Sequence, residues 1–225
     1  MTIEPIATYS TLLQEKFGLP RQAGLADSLE GFVSLKGEWA CADSLRGLED
    51  FSHIWLIWGF HLNPQTRNCT VRPPRLGGNS RKGVFASRSP YRPNGLGMSA
   101  VEIVSIDFEK ARIKVRGADL AHGTPVYDIK PYIPYSDSIP QASPGYTSKE
   151  WKELDVKFPE ETDRIFGTTE KEALRQILSL DPRPQYQDDP QKEYGLLFAG
   201  RNVRFVVKDN VVEVFSFEEH SEAPH

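Results

Sequence analysis

The 225-residue sequence lacks the features that mark several common protein classes. It contains no run of 18 apolar residues, and its first ten residues show neither the basic nor the apolar region of a signal peptide. It has only two cysteines, Cys41 and Cys69, and no CxxC pair. A disulfide framework and a zinc site are therefore not indicated. We expect a reduced cytoplasmic protein that neither spans a membrane nor binds a metal.

Sequence motifs of several enzyme classes are also missing. No GxxxxGKS/T sequence occurs, which argues against a phosphate-binding P-loop. The glycine pattern Gly95-Leu96-Gly97 precedes a predicted strand rather than a helix, so it does not fit a Rossmann dinucleotide site. Neither HExxH nor GxSxG is present. A hydrolase with a metal ion or a covalent nucleophile is therefore not suggested.

Carboxylates are absent from Phe51 to Val101, a segment that carries seven positive charges. The remainder of the chain has 20 basic residues against 31 acidic ones. A basic island in an acidic protein favours a focused anionic ligand, such as a phosphate or an RNA backbone. The charges alone support equally the alternative of a solvated loop whose arginines pair with carboxylates elsewhere.

Proline and glycine are concentrated inside this basic segment. Val71 to Met98 holds four prolines, five glycines and six basic side chains. Such a composition cannot sustain a helix, and proline lacks the N–H that a central strand must donate. We predict shaped loops around one short strand at Gly83 to Ala86, with arginines held near an anionic ligand.

Strand patterns dominate the first 140 residues. Alternation and β-forming residues predict strands at Ile3–Thr8, Phe32–Leu35, Phe51–Leu62, Ser99–Ile106, Arg112–Val115 and Val126–Ile129. The Phe51–Leu62 run is so apolar that we predict a central strand buried on both faces. Ser99–Ile106 and Arg112–Val115 are expected to form an antiparallel hairpin.

A second unusual stretch, Asp119 to Tyr135, combines three prolines with many polar side chains. Its polar groups could simply cap one another along an irregular edge strand. The concentration of hydrogen-bond donors and acceptors in a rigid loop favours a ligand site instead.

The character of the chain changes after Gln141, because residues 141–225 hold 17 acidic against 11 basic side chains. Thr169 to Glu172 (TEKE) predicts a capping box, and Asp181-Pro182 should stop the helix that follows it. Two alternating runs flank Asp209-Asn210, which indicates a tight hairpin. We predict a mainly β protein with two domains, a β-rich one at 1–140 and a small α+β one at 150–220.

Long and irregular motifs resemble a known family. The run TVRPPRLGGNSRKGVFASRSPYRPNGLGMSAVEI and the run DLAHGTPVYDIKPYIPYSDS look like the signature of the TsaA-like (YaeB-like) family, the TrmO tRNA methyltransferases. Supporting matches are PRQAGL from Pro20, RGLEDFSHIWLI from Arg46, and DPRPQYQ in the second domain. The resemblance covers nearly the whole chain.

The resemblance implies a fold, a cofactor and a substrate. The fold that the resemblance implies is a single-sheeted antiparallel β-barrel that binds S-adenosylmethionine. Its members are homodimers that hold the cofactor near the subunit interface. They methylate N6 of threonylcarbamoyl-adenosine at position 37, in the anticodon loop of threonine tRNA. These properties are expectations for the present chain.

The resemblance also implies a set of cofactor contacts. Carried onto this sequence, they fall on Pro20, Arg21, Gln22, His61, Leu62, Arg88, Met98, His122, Gly123, Thr124 and Pro125. An arginine, Arg88 or Arg21, suits the carboxylate of S-adenosylmethionine. His122 stands where the family pattern usually has Asp. If that carboxylate contacts the cofactor, we expect weaker affinity here or a backbone contact in its place.

Methyl transfer to an adenine amino group is helped by an acceptor for its proton. We hypothesise that Asp128 is this acceptor, that Lys130 and Tyr132 fix the base and its carbamoyl group, and that Asn94 holds the adenine edge. The alternative for Asp128 is a structural ion pair with Lys130. Basic side chains outside this group are assigned to RNA backbone and cofactor charge: Arg67, Arg72, Arg75, Arg81, Lys82 and Arg92.

Two other functions remain open from the sequence. The first is a non-catalytic RNA-binding module on the same barrel, which the departure at His122 allows. The second is an S-adenosylmethionine-dependent methyltransferase acting on another substrate, because the family includes divergent barrels.

Overall fold

The computed structural model describes residues 2–64, 68–76, 80–148, 152–183 and 189–219. Strands make up most of its regular structure. The strands are β1 (Ala7–Thr11), β2 (Glu30–Leu35), β3 (His53–Gly59), β4 (Thr70–Val71), β5 (Lys82–Gly83), β6 (Leu96–Asp107), β7 (Arg112–Arg116), β8 (Pro125–Pro131), β9 (Asp155–Lys157), β10 (Tyr194–Phe198), β11 (Arg201–Lys208) and β12 (Val211–Glu219). The helices are α1 (Pro134–Asp137), α2 (Thr162–Ile165) and α3 (Thr168–Ser179).

Six strands close into an antiparallel barrel in the order β1-β2-β7-β6-β3-β8. Closure pairs every strand on both sides, so this sheet has no free edge. The barrel interior is filled by alternate side chains, such as Ile54, Leu56 and Trp58 on β3. The predicted fold class, a single-sheeted antiparallel β-barrel followed by a small α+β domain, is confirmed.

Strand β3 lies at the centre of the barrel wall, between β6 and β8. Its inward residues are buried, whereas Trp55 and Ile57 on the outer face are only half-buried. The prediction of burial on both faces is therefore wrong for the outer face. The apolar side chains on the outer face of β3 line a cleft.

The basic segment is built mainly from loops, as its composition predicts. The predicted strand at Gly83 to Ala86 is wrong in detail, because the strand is β5 and the residues after Gly83 form a 3-10 turn. The hairpin of β6 and β7 is confirmed. The first strand begins at Ala7 rather than Ile3, because Ala7 is the first residue paired to β2.

The second sheet has the order β10-β11-β12-β9, with β9 parallel to β12. The hairpin around Asp209 and Asn210 is confirmed, and both residues have positive φ values, of 50° and 62°. Helix α3 starts earlier than predicted, because the Glu170 carboxylate accepts the N–H of Gly167 at 3.1 Å. The capping interaction therefore precedes the predicted TEKE box.

The segment between β1 and β2, residues 12–29, packs into the second core rather than the barrel core. We call it the β1–β2 loop. Its buried residues Leu13, Ala26 and Leu29 share a cluster with the apolar side chains of α3 and of the second sheet. Leu13 also forms an isolated β-bridge with Phe198. A loop of the barrel thus completes the core of the C-terminal domain.

Candidate active site

A cleft of about 720 Å³ is lined by the β1–β2 loop, the end of β3, part of the basic segment and the segment that precedes β8. Clefts of this size commonly bind small molecules. The outward side chains of Trp55 and Ile57 on β3 and of Met98 on β6 give it an apolar surface. Arg21 and Arg88 add positive charge to the lining. The cleft therefore combines an apolar surface with two positively charged side chains.

Most of the predicted cofactor residues come together in this cleft, although they are far apart in the sequence. Eight of them line it: Pro20, Arg21, Gln22, His61, Leu62, Arg88, Met98 and Thr124. The β1–β2 loop and the basic segment meet where Arg88 Nη1 donates to Gln22 Oε1. Arg21 contacts the residues that follow α3, where its Nη2 donates to the carbonyl of Asp181 at 3.2 Å.

His61 connects the end of β3 to the turn that precedes β8. Its Nδ1 lies 3.4 Å from Thr124 Oγ1, and its ring also bonds to the backbone of His122. Partial burial lowers the pKa of His61 below its ordinary value, an effect that the nearby backbone hydrogen bonds oppose. The imidazole is therefore mainly neutral at about pH 7.

Three predicted cofactor residues, His122, Gly123 and Pro125, do not line this cleft. The ring of His122 is turned towards the barrel, and its Nδ1 lies 3.2 Å from the carbonyl of Thr11. Pro125 lines a second cleft of about 130 Å³, together with Arg92 and Asn94. Asn94, predicted to hold the adenine edge, therefore lies next to the main cleft rather than in it.

Two of the predicted catalytic residues, Asp128 and Lys130, lie on the outer face of β8, and the third, Tyr132, is the first residue after this strand. Asp128 pairs in register with Ile57, whose side chain lines the main cleft. Asp128 Oδ2 lies 3.7 Å from Lys130 Nζ, and the two side chains are 48% and 64% exposed. The ring of Tyr132 packs on Trp55, with centroids 5.4 Å apart. The group thus lies beside the cleft, with Asp128 in an exposed ion pair.

Sequence reasoning missed a hydrogen-bonded series in the cleft lining, formed by Trp58, Ser99 and Asp119. Trp58 Nε1 donates to Ser99 Oγ at 3.0 Å, and Ser99 Oγ donates to Asp119 Oδ1 at 2.5 Å. Burial raises the pKa of Asp119, although the Ser99 bond and the Arg88 charge both lower it. In the sequence, Asp119 was visible only as one member of the polar stretch before β8.

The basic residues assigned to RNA have varied positions. Arg72 and Arg81 are exposed, and Lys82 is half-buried in β5. Arg92 Nη1 donates to the carbonyl of Ser87 at 2.9 Å and so helps to shape its own loop. Arg67 and the side chain of Arg75 lie outside the described part of the chain.

No helix in the described part of the chain is both long and apolar enough to cross a membrane. Within the same residues, no group of three or more His, Cys, Asp or Glu side chains is arranged to hold a metal ion.

Comparison with known proteins gives matches along most of the chain. Residues 8–138 match the family model described as tRNA-methyltransferase O N-terminal domain, and residues 152–220 match the TrmO C-terminal domain. The chain is 42% identical over 227 residues to the tRNA (adenine(37)-N6)-methyltransferase of Escherichia coli strain K12, covering 96% of this chain and 97% of that protein.

A second relative and a solved structure agree with this match. RcsF of Pseudomonas aeruginosa, whose name describes an S-adenosylmethionine-dependent methyltransferase, is 39% identical over 204 residues, which is 87% of each chain. The crystal structure of TrmO from Pseudomonas aeruginosa superimposes with a TM-score of 0.80 at 29% identity, covering 96% of this chain and 97% of that chain.

Proposed function

The chain belongs to the TrmO family of tRNA methyltransferases, and from this premise we propose that it methylates N6 of threonylcarbamoyl-adenosine at position 37 of threonine tRNA. As a member of this family it is an S-adenosylmethionine-dependent tRNA (adenine-N6)-methyltransferase. The observation that carries the proposal is the main cleft, which collects eight of the family's cofactor residues from separate segments.

The residues of the cleft fit S-adenosylmethionine, whose sulfonium supplies the transferable methyl group. Arg88 and Arg21 would hold its carboxylate through charge-assisted hydrogen bonds. The apolar surface of Trp55, Ile57 and Met98 would take the adenine ring. His61 adds little positive charge because its pKa is lowered. The lining therefore suits a ligand with a carboxylate, a flat ring and a cationic centre.

Alignment of the adenine amino group with the methyl group supplies much of the acceleration in such a transfer. Asp128 is the proposed acceptor of the N6 proton, and it acts directly or through one water molecule. Its position beside Ile57 supports this role, because Ile57 lines the cleft. The competing role is the Lys130 ion pair, which the structure forms at 3.7 Å. Lys130 and Tyr132 would then orient the base from the same face of β8.

Replacing Asp128 with asparagine separates these roles. We expect the single-turnover methylation rate to fall by about 10²- to 10⁴-fold, because a positioned base contributes that much, while cofactor affinity stays unchanged. Asp107→Asn is a matched control, since Asp107 Oδ2 also lies 3.7 Å from a lysine Nζ, that of Lys110. A normal rate for Asp128→Asn would remove this carboxylate from the mechanism.

The anionic partner is proposed to be the anticodon loop of threonine tRNA. Exposed arginines of the basic segment, including Arg72 and Arg81, are suited to contact its phosphates. We also propose a homodimer, supported by two exposed apolar side chains, Phe85 (80%) and Met98 (61%), the second of which lines the proposed cofactor site. The proposed catalytic domain spans residues 1–140, and the appended domain spans 150–220.

A cytoplasmic location is part of the proposal. Both cysteines, Cys41 and Cys69, are free and exposed, which suits a reducing compartment.

Labelled cofactor and total tRNA test the proposed substrate. We would compare tRNA from cells that make threonylcarbamoyl-adenosine with tRNA from cells that do not. Transfer to the first pool alone is expected. Transfer to both pools would indicate a different methylated base. Transfer to neither pool would favour a non-catalytic RNA-binding module.

A further inference from the structure

Asp119 is a carboxylate of the main cleft that the proposed mechanism does not use. It follows β7 and lies 20 residues from Ser99 in the sequence, yet the Ser99 hydroxyl donates to its Oδ1 at 2.5 Å. Ser99 is itself 2% exposed and receives the indole N–H of Trp58. The Ser99 hydroxyl thus accepts from Trp58 and donates to Asp119, and these two bonds together orient it.

Asp119 also faces the β1–β2 loop. The backbone N–H of Ala23 and the positive charge of Arg88 both lower the pKa of its carboxylate. Arg88 in turn donates to Gln22 of the same loop. One side of the cleft therefore carries a carboxylate and a guanidinium close to each other.

Asp119 is partly buried, and a carboxylate removed from water is costly unless a cation or several donors compensate for its lost hydration. Burial is the main influence on Asp119 and raises its pKa, so the present donors compensate only in part. A cationic ligand group would supply the remaining compensation for the lost hydration of the Asp119 carboxylate. The contrast with Asp128 supports this reading, because Asp128 is half-exposed and already has the Lys130 ammonium within 3.7 Å.

The amino acid end of S-adenosylmethionine carries one ammonium and one carboxylate on the same carbon. We propose that Asp119 binds the α-ammonium group of the cofactor, while Arg88 binds its carboxylate. Ser99 and Trp58 are positioning residues that orient the Asp119 carboxylate towards the cleft. The inference rests on the proposed cofactor site, because it assigns one further contact within that site.

Calorimetry with two adenosine ligands tests this assignment. S-Adenosylhomocysteine retains the amino acid end, whereas 5′-methylthioadenosine lacks it. For Asp119→Asn we expect affinity for S-adenosylhomocysteine to fall by about 10- to 100-fold, the usual scale for a lost charge-assisted hydrogen bond. Affinity for 5′-methylthioadenosine should stay within about twofold. Ser99→Ala should show the same selectivity with a smaller loss, because it only releases the carboxylate.

Two control variants and two alternative outcomes for Asp119→Asn separate the possible failures. Asp107→Asn removes a carboxylate outside the cleft and should bind both ligands normally. An equal loss of both ligands in Asp119→Asn would indicate a structural role and overturn the inference. If Asp119→Asn binds S-adenosylhomocysteine normally but has a slowed single-turnover rate, Asp119 would act at the reacting adenine, and this result would also overturn the inference. If Arg88→Ala also leaves S-adenosylhomocysteine binding unchanged, the proposed cofactor site itself is wrong.

Discussion

Replacing Gly18 with alanine would test whether the C-terminal domain holds the β1–β2 loop in its observed position. Gly18 has φ +88°, a conformation that costs a residue with a Cβ about 1–2 kcal/mol. A Cβ at this position would lie 2.3 Å from Leu196 Cδ1. Leu196 is completely buried, so it cannot move aside without disturbing its neighbours. Overpacking of this kind costs about 1–3 kcal/mol more.

Together the two effects predict a loss of about 2–5 kcal/mol, or about 4–20 °C in melting temperature for a chain of this size. Calorimetric melting measures this loss. Gly24→Ala is a matched control in the same loop, because Gly24 has φ +81° and no atom lies within 4 Å of an added Cβ. It should lose only the backbone share, about 1–2 kcal/mol.

The difference between the two variants isolates the contact with Leu196. We also expect Gly18→Ala to weaken S-adenosylhomocysteine binding at a temperature where it remains folded, because Pro20 and Gln22 follow in the same loop. Equal melting temperatures for Gly18→Ala and Gly24→Ala would refute the idea that the second sheet restrains this loop.

Further predictions concern the same loop, the buried carboxylate and the basic segment. Gln176→Ala removes the donor to Asp27 and the acceptor for the N–H of Ser28, so it should raise KM for the cofactor more than it lowers kcat. The control is Arg175→Ala, because the side-chain hydrogen bonds of Arg175 go to Glu172 on the same helix. Asp119→Asn should raise the melting temperature at about pH 7. The pKa of Asp119 is raised in the folded state, so the contribution of this carboxyl group to stability falls as pH rises above 3.8. At about pH 3 the variant should therefore show no gain in melting temperature. Another prediction concerns three basic side chains of the basic segment, Arg72, Arg81 and Lys82. Removing all three should reduce the slope of log affinity for tRNA against log salt concentration by about 2–3. An unchanged slope would exclude these side chains as the RNA surface.

The strands of both sheets could be predicted from the sequence because they carry local signals, whereas closure into a barrel was expected from the family resemblance alone. The alternation along Arg112–Val115 and the turn residues Asp209-Asn210 each determine their own structure. Such signals are weaker at the ends of elements. The start of α3 was misplaced because its N-cap residue, just before Thr168, is Gly167, which has no side chain to act as a cap.

The site was predicted less completely, because its geometry depends on contacts between distant segments. Family motifs identified Arg88 and Gln22 but not their mutual hydrogen bond. Ser99 is an inward residue of a strand and Asp119 one polar residue among several, so no local pattern connects them. The outer face of β3 was mispredicted for the same reason. In a sequence, an apolar residue gives the same pattern whether its side chain packs in a core or lines a cleft.

The sharing of the second core has a consequence for the order in which the protein is made. All six barrel strands leave the ribosome before the second sheet is complete, because β8 ends at Pro131 and β12 ends at Glu219. Until then the apolar side chains of the β1–β2 loop have no core to enter. At synthesis rates of about 5–20 residues per second, this interval lasts about 4–18 s. A nascent chain therefore contains all six barrel strands before the elements that pack against the β1–β2 loop are complete, and this loop lines the proposed cofactor cleft.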